Sequence, residues 1–175
     1  MVRTLLSLAF VFLFTLSALS SSVRDTILKD PGSADPEILS VIESSLSAVE
    51  GNIVKAEKKY SKERIYWLVV MITVSGGEIR MHIDPDRNSV LEISAEEGPF
   101  DYEVIPGDGM ISFSEARESA ESVAGSRVLK WKLVDAKAGK QYHFWMFTKG
   151  GAAQFKLDAV TGERIMKKQG KKKQK

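Results

Sequence analysis

The sequence predicts an α+β protein made of two αβββ(β) repeats, each an antiparallel sheet packed on one helix. Three observations lead there. Residues 37–91 lie over 111–165 without a gap, Asp84 falling on Asp158 at an offset of 74. Each stretch opens with a capped amphipathic helix. Alternating apolar runs follow, broken by a Gly-Gly pair. At that offset Gly51 meets Gly125 and Gly76-Gly77 meets Gly150-Gly151, and among nine identities the Gly and Asp matches all fall at expected boundaries in the same order.

In the first stretch, residues 33–94, Asp35 is the expected N-cap and Pro36 the first helical residue. Ile38, Ile42, Leu46 and Val49 form an apolar stripe, with Gly51 as the terminator. In the second, residues 111–166, Ser112 and Glu115 have capping-box spacing. There Phe113, Ala116, Ala120 and Val123 form the stripe, and Gly125 ends it. Leu129, Trp131 and Leu133 alternate with Lys130 and Lys132, as in a strand with one wet face. Val54 and Ala56 lead to Tyr60 with parity off by one, which requires a bulge or a shift of one residue.

The next strands, 66–74 and 141–148, are matched as Leu68/Val70/Ile72 with Tyr142/Phe144/Met146. The Gly-Gly pairs supply hairpin turns into 78–84 and 152–158. Short fourth strands are expected at 90–93 and 164–166. Asp158 and Gly162 are expected to shape a tight turn, the aspartate accepting local backbone N–H groups. Asn88 stands where the first copy would need that glycine, and asparagine tolerates the left-handed conformation. Residues 95–110 read as a linker.

The helix "ISFSEARESAESVAG", the Tyr-led strand "YHFWMF" and the closing "DAVTGERI" together resemble the PepSY domain. The matched positions are Ala116, Ala120, Gly125, Tyr142, Asp158 and Gly162, and the first copy is diverged, with Leu68 for the tyrosine. The resemblance implies an αβββ fold, an extracytoplasmic setting and a role in binding or restraining other proteins, with peptidase inhibition the proposed activity. A tandem of such units also resembles, in architecture only, the β-lactamase inhibitory protein.

Composition narrows the setting. Of 175 residues, 43% are hydrophobic and 27% charged, as in a globular protein. There is no cysteine, which excludes disulfides and thiol chemistry. Arg3, the apolar run from Leu5 to Leu19 and the small residues that follow form a signal-peptide pattern over residues 1–20, with cleavage near Ser20. The mature chain is therefore expected to be secreted or periplasmic. Six lysines crowd residues 167–175; from Ser21 to Met166 there are 18 basic and 23 acidic residues, a net of −5. Such a tail reads as a solvated, disordered end or as a contact for an anionic surface; nucleic acid is not an expected partner.

No catalytic motif is present. His82 and His143 each sit in an alternating strand, without the neighbours a metal or a nucleophile needs. "DGMISFSEA" matches the second half of a calcium loop, but Val104 and Pro106 stand where side-chain oxygens are required. Neither cofactor nor metal is expected, and the chain reads as a non-enzymatic binding protein.

The middle strands are apolar on both faces, which a sheet covered on one side does not require. Trp67, Val69 and Met71, with His143, Trp145 and Phe147, are the candidate binding residues. Exposed, they mark a site for another protein, a peptidase among the candidates, or for a second copy of the chain; covered by the linker, the tail or the other repeat, they form a second core. The rival function is an envelope-surface, ion or small-molecule binder acting through its tail and acidic loops.

Overall fold

The computed structural model describes residues 36–166, except Glu63, Pro106 and Asp108. The expected signal peptide, the Asp35 cap, the Asp108 end of the calcium-like loop and the basic tail lie outside the described residues.

In chain order the elements are α1 (Pro36–Ala48), β1 (Gly51–Tyr60), β2 (Ile65–Thr73), β3 (Glu78–Asp84), β4 (Ser89–Ala95), α2 (Phe113–Ala124), β5 (Val128–Ala136), β6 (Gly139–Thr148) and β7 (Gly151–Asp158). All seven strands form one antiparallel sheet in sequential order, β1 to β7. The two-repeat expectation fails here. There are not two sheets, because β4 pairs with β5 over Glu92–Ala95 and Trp131–Val134. The coarser α+β class remains. The fourth strand of the first half is full length and forms the seam; in the second half only an isolated bridge, Leu157 to Arg164, occupies the corresponding place.

Both helices contribute to one continuous core on one face of the sheet. From α1 come Val41, Ile42, Ser45 and Ala48; from α2 come Phe113, Ala116 and Ala120. Val123, expected in the second stripe, is 59% exposed. The α2 N-terminus carries the full Ser112/Glu115 capping box, and Gly125 closes the helix in the left-handed conformation at φ 62°. Gly51 does not end α1. It starts β1, and a Cβ there would meet the Ile72 carbonyl oxygen at 2.5 Å.

The expected parity is also corrected. β-Bulges fall between Ile53 and Lys55 and between Val128 and Lys130, turning out Val54 (39% exposed) and Leu129 (44%). The sheet positions that match are Trp67 with Tyr142, Val69 with Phe144 and Met71 with Met146, all on the helix side and all buried. That offset is 142 − 67 = 75, whereas Asp84 and Asp158 differ by 74. The extra residue is absorbed between the strands: four residues separate β2 from β3 and two separate β6 from β7.

Trp67, Val69 and Met71 are therefore core residues, not an exposed patch. Their register partners Ile83, Met81 and Ile79 are fully buried beside them. The Trp67 indole N–H is satisfied by donation to Glu37 Oε1 of α1 at 2.6 Å, and Lys58 Nζ donates to the other oxygen at 2.9 Å.

The 95–110 segment does more than link. Val104 is fully buried and bridges Val49, and Ile105 N donates to Ala48 O. Glu103 Oε1 accepts from Phe113 N (2.8 Å) and Ser114 N (3.3 Å), adding a second carboxylate at the α2 N-terminus. Tyr102 stacks on Phe113 and its hydroxyl accepts the Trp131 indole N–H at 2.9 Å. Burial raises the Tyr102 phenol to about 12.

The face assignment of β2 is open to a direct check. Met71→Ala should cost about 2–5 kcal/mol, and the neighbouring Ile72→Ala, half-buried on the other face, roughly 1 kcal/mol. Denaturant unfolding of both variants measures this, and equal costs, or the reverse order, would overturn the assignment.

Candidate functional site

Among the described residues, the face of the sheet away from α1 and α2 carries no helix. The register fixes its rows. One runs Glu57, Leu68, His82, Glu92, Val134 and Gln141; the next runs Lys55, Val70, Arg80, Ser94, Lys132, His143 and Lys156. A third, on the C-terminal side, joins Lys130, Trp145 and Gln154, with Phe147 beside Ala152 beyond it.

His143, Trp145 and Phe147 thus share one face, as expected, but with Leu68, Val70 and Ile72 rather than with Trp67, Val69 and Met71. The three aliphatic residues of β2 were the ones sequence reasoning assigned to the core. The signal that could have found them is turn length: both halves carry the bulge at equivalent places, but four residues join β2 to β3 and two join β6 to β7, so an ungapped match through Asp84 and Asp158 is one residue out in β2.

Phe147 is 62% exposed and Trp145 half-buried. Lys130 Nζ sits 4.8 Å from the Trp145 ring centre and also pairs with Glu96 at 3.2 Å. Lys132 pairs with Glu92 at 3.2 Å. Lys156 forms no ion pair among the described residues. An apolar spot in a frame of lysines is the result, on a body whose net charge is negative.

His143 is 8% exposed although it lies on the open face. Its ring meets Trp145 edge-on at 6.2 Å and Nε2 is 3.3 Å from Gln141 Oε1. Burial, with Lys156 and Lys132 on either side, lowers its pKa to about 4. His82, packed on Tyr66 at 4.6 Å, is also lowered by burial.

The turn residues sit where the sequence put them. Asp84 Oδ1 accepts from Asp86 N (2.9 Å) and Arg87 N (3.2 Å); Asp158 Oδ1 accepts from Val160 N (2.9 Å) and Thr161 N (3.0 Å). Gly162 at φ 70° and Asn88 at φ 48° complete the two turns in the left-handed region. Those backbone donors hold the Asp158 carboxyl below its usual range. Tyr142 is a core residue, its hydroxyl donating to Ile111 O at 3.1 Å.

On the helix side, a cleft of about 700 Å³ lies between the linker, α2 and β5, lined by Phe100, Arg117, Glu121, Arg127 and Leu129 among others. Arg117 Nη1 donates to Phe100 O, closing part of it. The cleft mixes both charge signs and includes none of the candidate residues. Among the described residues, no group of three or more His, Asp or Glu side chains is placed to hold a metal.

Comparison with known proteins adds little. No family model matches the chain, and no curated protein matches it. Among solved structures, the crystal structure of a "putative lipoprotein" from Clostridium difficile 630 is similar at 15% identity and a TM-score of 0.35, over 74% of this chain and 88% of that one. No helix among the described residues is long and apolar enough to cross a membrane.

The shifted histidine sets a pH dependence. In the folded chain His143 resists protonation down to about 4, while its ordinary value is 6.5. The unfolded chain therefore binds more protons between those values, so the stability this group contributes is present above pH 6.5 and falls as pH drops toward 4. Urea unfolding of wild type and His143→Gln at pH 7 and pH 5 should show a smaller acid loss in the variant. An unchanged loss would place the titration elsewhere.

Proposed function

We propose that the chain is a non-enzymatic, extracytoplasmic binding module whose partner is another protein, docked on the C-terminal half of the open sheet face. The observation that carries this reading is Phe147, a 62% exposed aromatic residue next to half-buried Trp145 on a sheet face that no helix among the described residues covers. Antiparallel sheets with one solvated face put polar residues outward, and aromatic residues in a polar frame are the usual anchors of protein interfaces.

The lysines around Trp145 suit a partner surface that offers an aromatic or aliphatic side chain flanked by carboxylates. The signal-peptide pattern of residues 1–20 supports the extracytoplasmic setting. The PepSY resemblance of the second half suggests a peptidase as the target, with inhibition as the outcome.

The test is affinity capture from the native secreted or periplasmic proteins, with wild type and Phe147→Asp side by side. Phe147→Asp should leave stability within about 0.5 kcal/mol and weaken the interaction by at least about tenfold. A protein retained by wild type and lost from the variant, whose peptidase activity falls when bound, supports the reading. A partner retained equally by both, or lost only when residues 167–175 are removed, contradicts it.

A further inference from the structure

The sheet forks at its seam. β4 pairs with β5 only as far as Ala95 and Trp131. Beyond that point the linker leaves the sheet, whereas β5 reaches back to Val128. The cleft of about 700 Å³ lies in this fork, a volume within the ~300–1,000 Å³ of small-ligand sites. The bulge between Val128 and Lys130 turns out Leu129, 44% exposed, and Leu129 lines the cleft together with Phe100 of the linker.

Arg117 of α2 lines it too, and its guanidinium is held in place. Nη1 donates to Phe100 O, and the guanidinium carbon lies 5.8 Å from the Phe113 ring centre. The side-on edge, Nε with Nη2, carries no hydrogen bond among the described residues, and Nε is buried. A buried donor without an acceptor costs free energy. That same edge is where a carboxylate seats with two parallel hydrogen bonds.

The neighbouring acids do not occupy it. Glu121 Oε1 accepts from Val128 N at 2.9 Å, which ties it to the start of β5. Asp101 Oδ1 lies 4.0 Å from Nη1, the nitrogen already bonded, and its side chain is 82% exposed. Glu97 is exposed as well.

We infer that the cleft takes a short peptide by its C-terminal carboxylate, seated on the Nε and Nη2 edge of Arg117. The layout of charge sets the ligand's polarity. The half-buried cation receives the carboxylate, and the exposed acids Glu97 and Asp101 suit an amino end or a basic side chain. Phe100 and Leu129 offer apolar surface to the last side chain. A neutral apolar ligand would leave Arg117 unmatched, and a dianion would meet three carboxylates in the lining. The site is on the helix side of the sheet, away from Trp145 and Phe147, so it stands independently of the partner proposed for the open face.

Nitrogen-15 NMR on the chain from Ser21 onward, which contains every described element, tests this with the tripeptide lysyl-alanyl-leucine as the probe. The Arg117 Nε–H resonance should shift and exchange more slowly with water as peptide is added, with a Kd on the order of 0.1–1 mM. The C-terminal amide of the same peptide should bind at least about tenfold more weakly, having lost the charge-assisted pair. Arg117→Lys keeps the charge but not the fork, and should weaken the acid form about tenfold while leaving the amide form unchanged. The wild-type spectra locate the site without any substitution, with backbone shifts at Phe100, Arg117 and Leu129. No shift up to about 10 mM peptide, equal binding of acid and amide, or shifts confined to Trp145 and Phe147 would overturn the inference.

Discussion

The pairing of β4 with β5 is the constraint on which the rest depends. Glu92–Ala95 and Trp131–Val134 join two halves that would otherwise each need to close their own sheet. On the helix side the seam sets Ile93 against Leu133 and Ala95 against Trp131, all buried. On the open side it sets Glu92 against Lys132 and Glu96 against Lys130, half-exposed pairs that contribute little to stability but penalise a slipped register. One core, both helices and one uninterrupted open face follow from it.

The linker completes this arrangement. Its Tyr102 joins the aromatic cluster of Phe113, Trp131, Tyr142 and Phe144 and satisfies the Trp131 N–H. Its Glu103 caps α2, and its Val104 ties back to the end of α1. A segment that crosses from the first half to the second thus packs against both. Everything chemically ordinary is spent on that side of the sheet, leaving the other side to carry lysines, two shifted histidines and an exposed phenylalanine.

Local chemistry made much of the fold legible in the sequence. The Ser112/Glu115 box, the Gly125 cap, the Gly-Gly hairpins and the Asp84 and Asp158 turns depend on residues within a few positions of each other, and each lies where it was expected. Register does not work that way. The β2–β3 turn is longer than the β6–β7 turn, so a gapless match anchored on Asp84 and Asp158 is one residue out in β2, and Trp67, Val69 and Met71 were assigned to the wrong face while His143, Trp145 and Phe147 were assigned to the right one. The β4–β5 seam was hidden because residues 90–93 read as a short terminal strand until their partner, about forty residues on, is known. Gly51 was legible as a special position but for the wrong cause, a close backbone approach in place of a helix end.

If the seam is what unites the halves, the two halves cannot unfold apart. Two variants that each keep one core tryptophan, Trp67 in the first half or Trp131 in the second, would report the halves separately during urea unfolding by fluorescence. The fold described here requires coincident transitions, with one midpoint and one slope for both probes. Separated midpoints, with one half melting while the other holds, would contradict a single sheet and return the chain to two independent units.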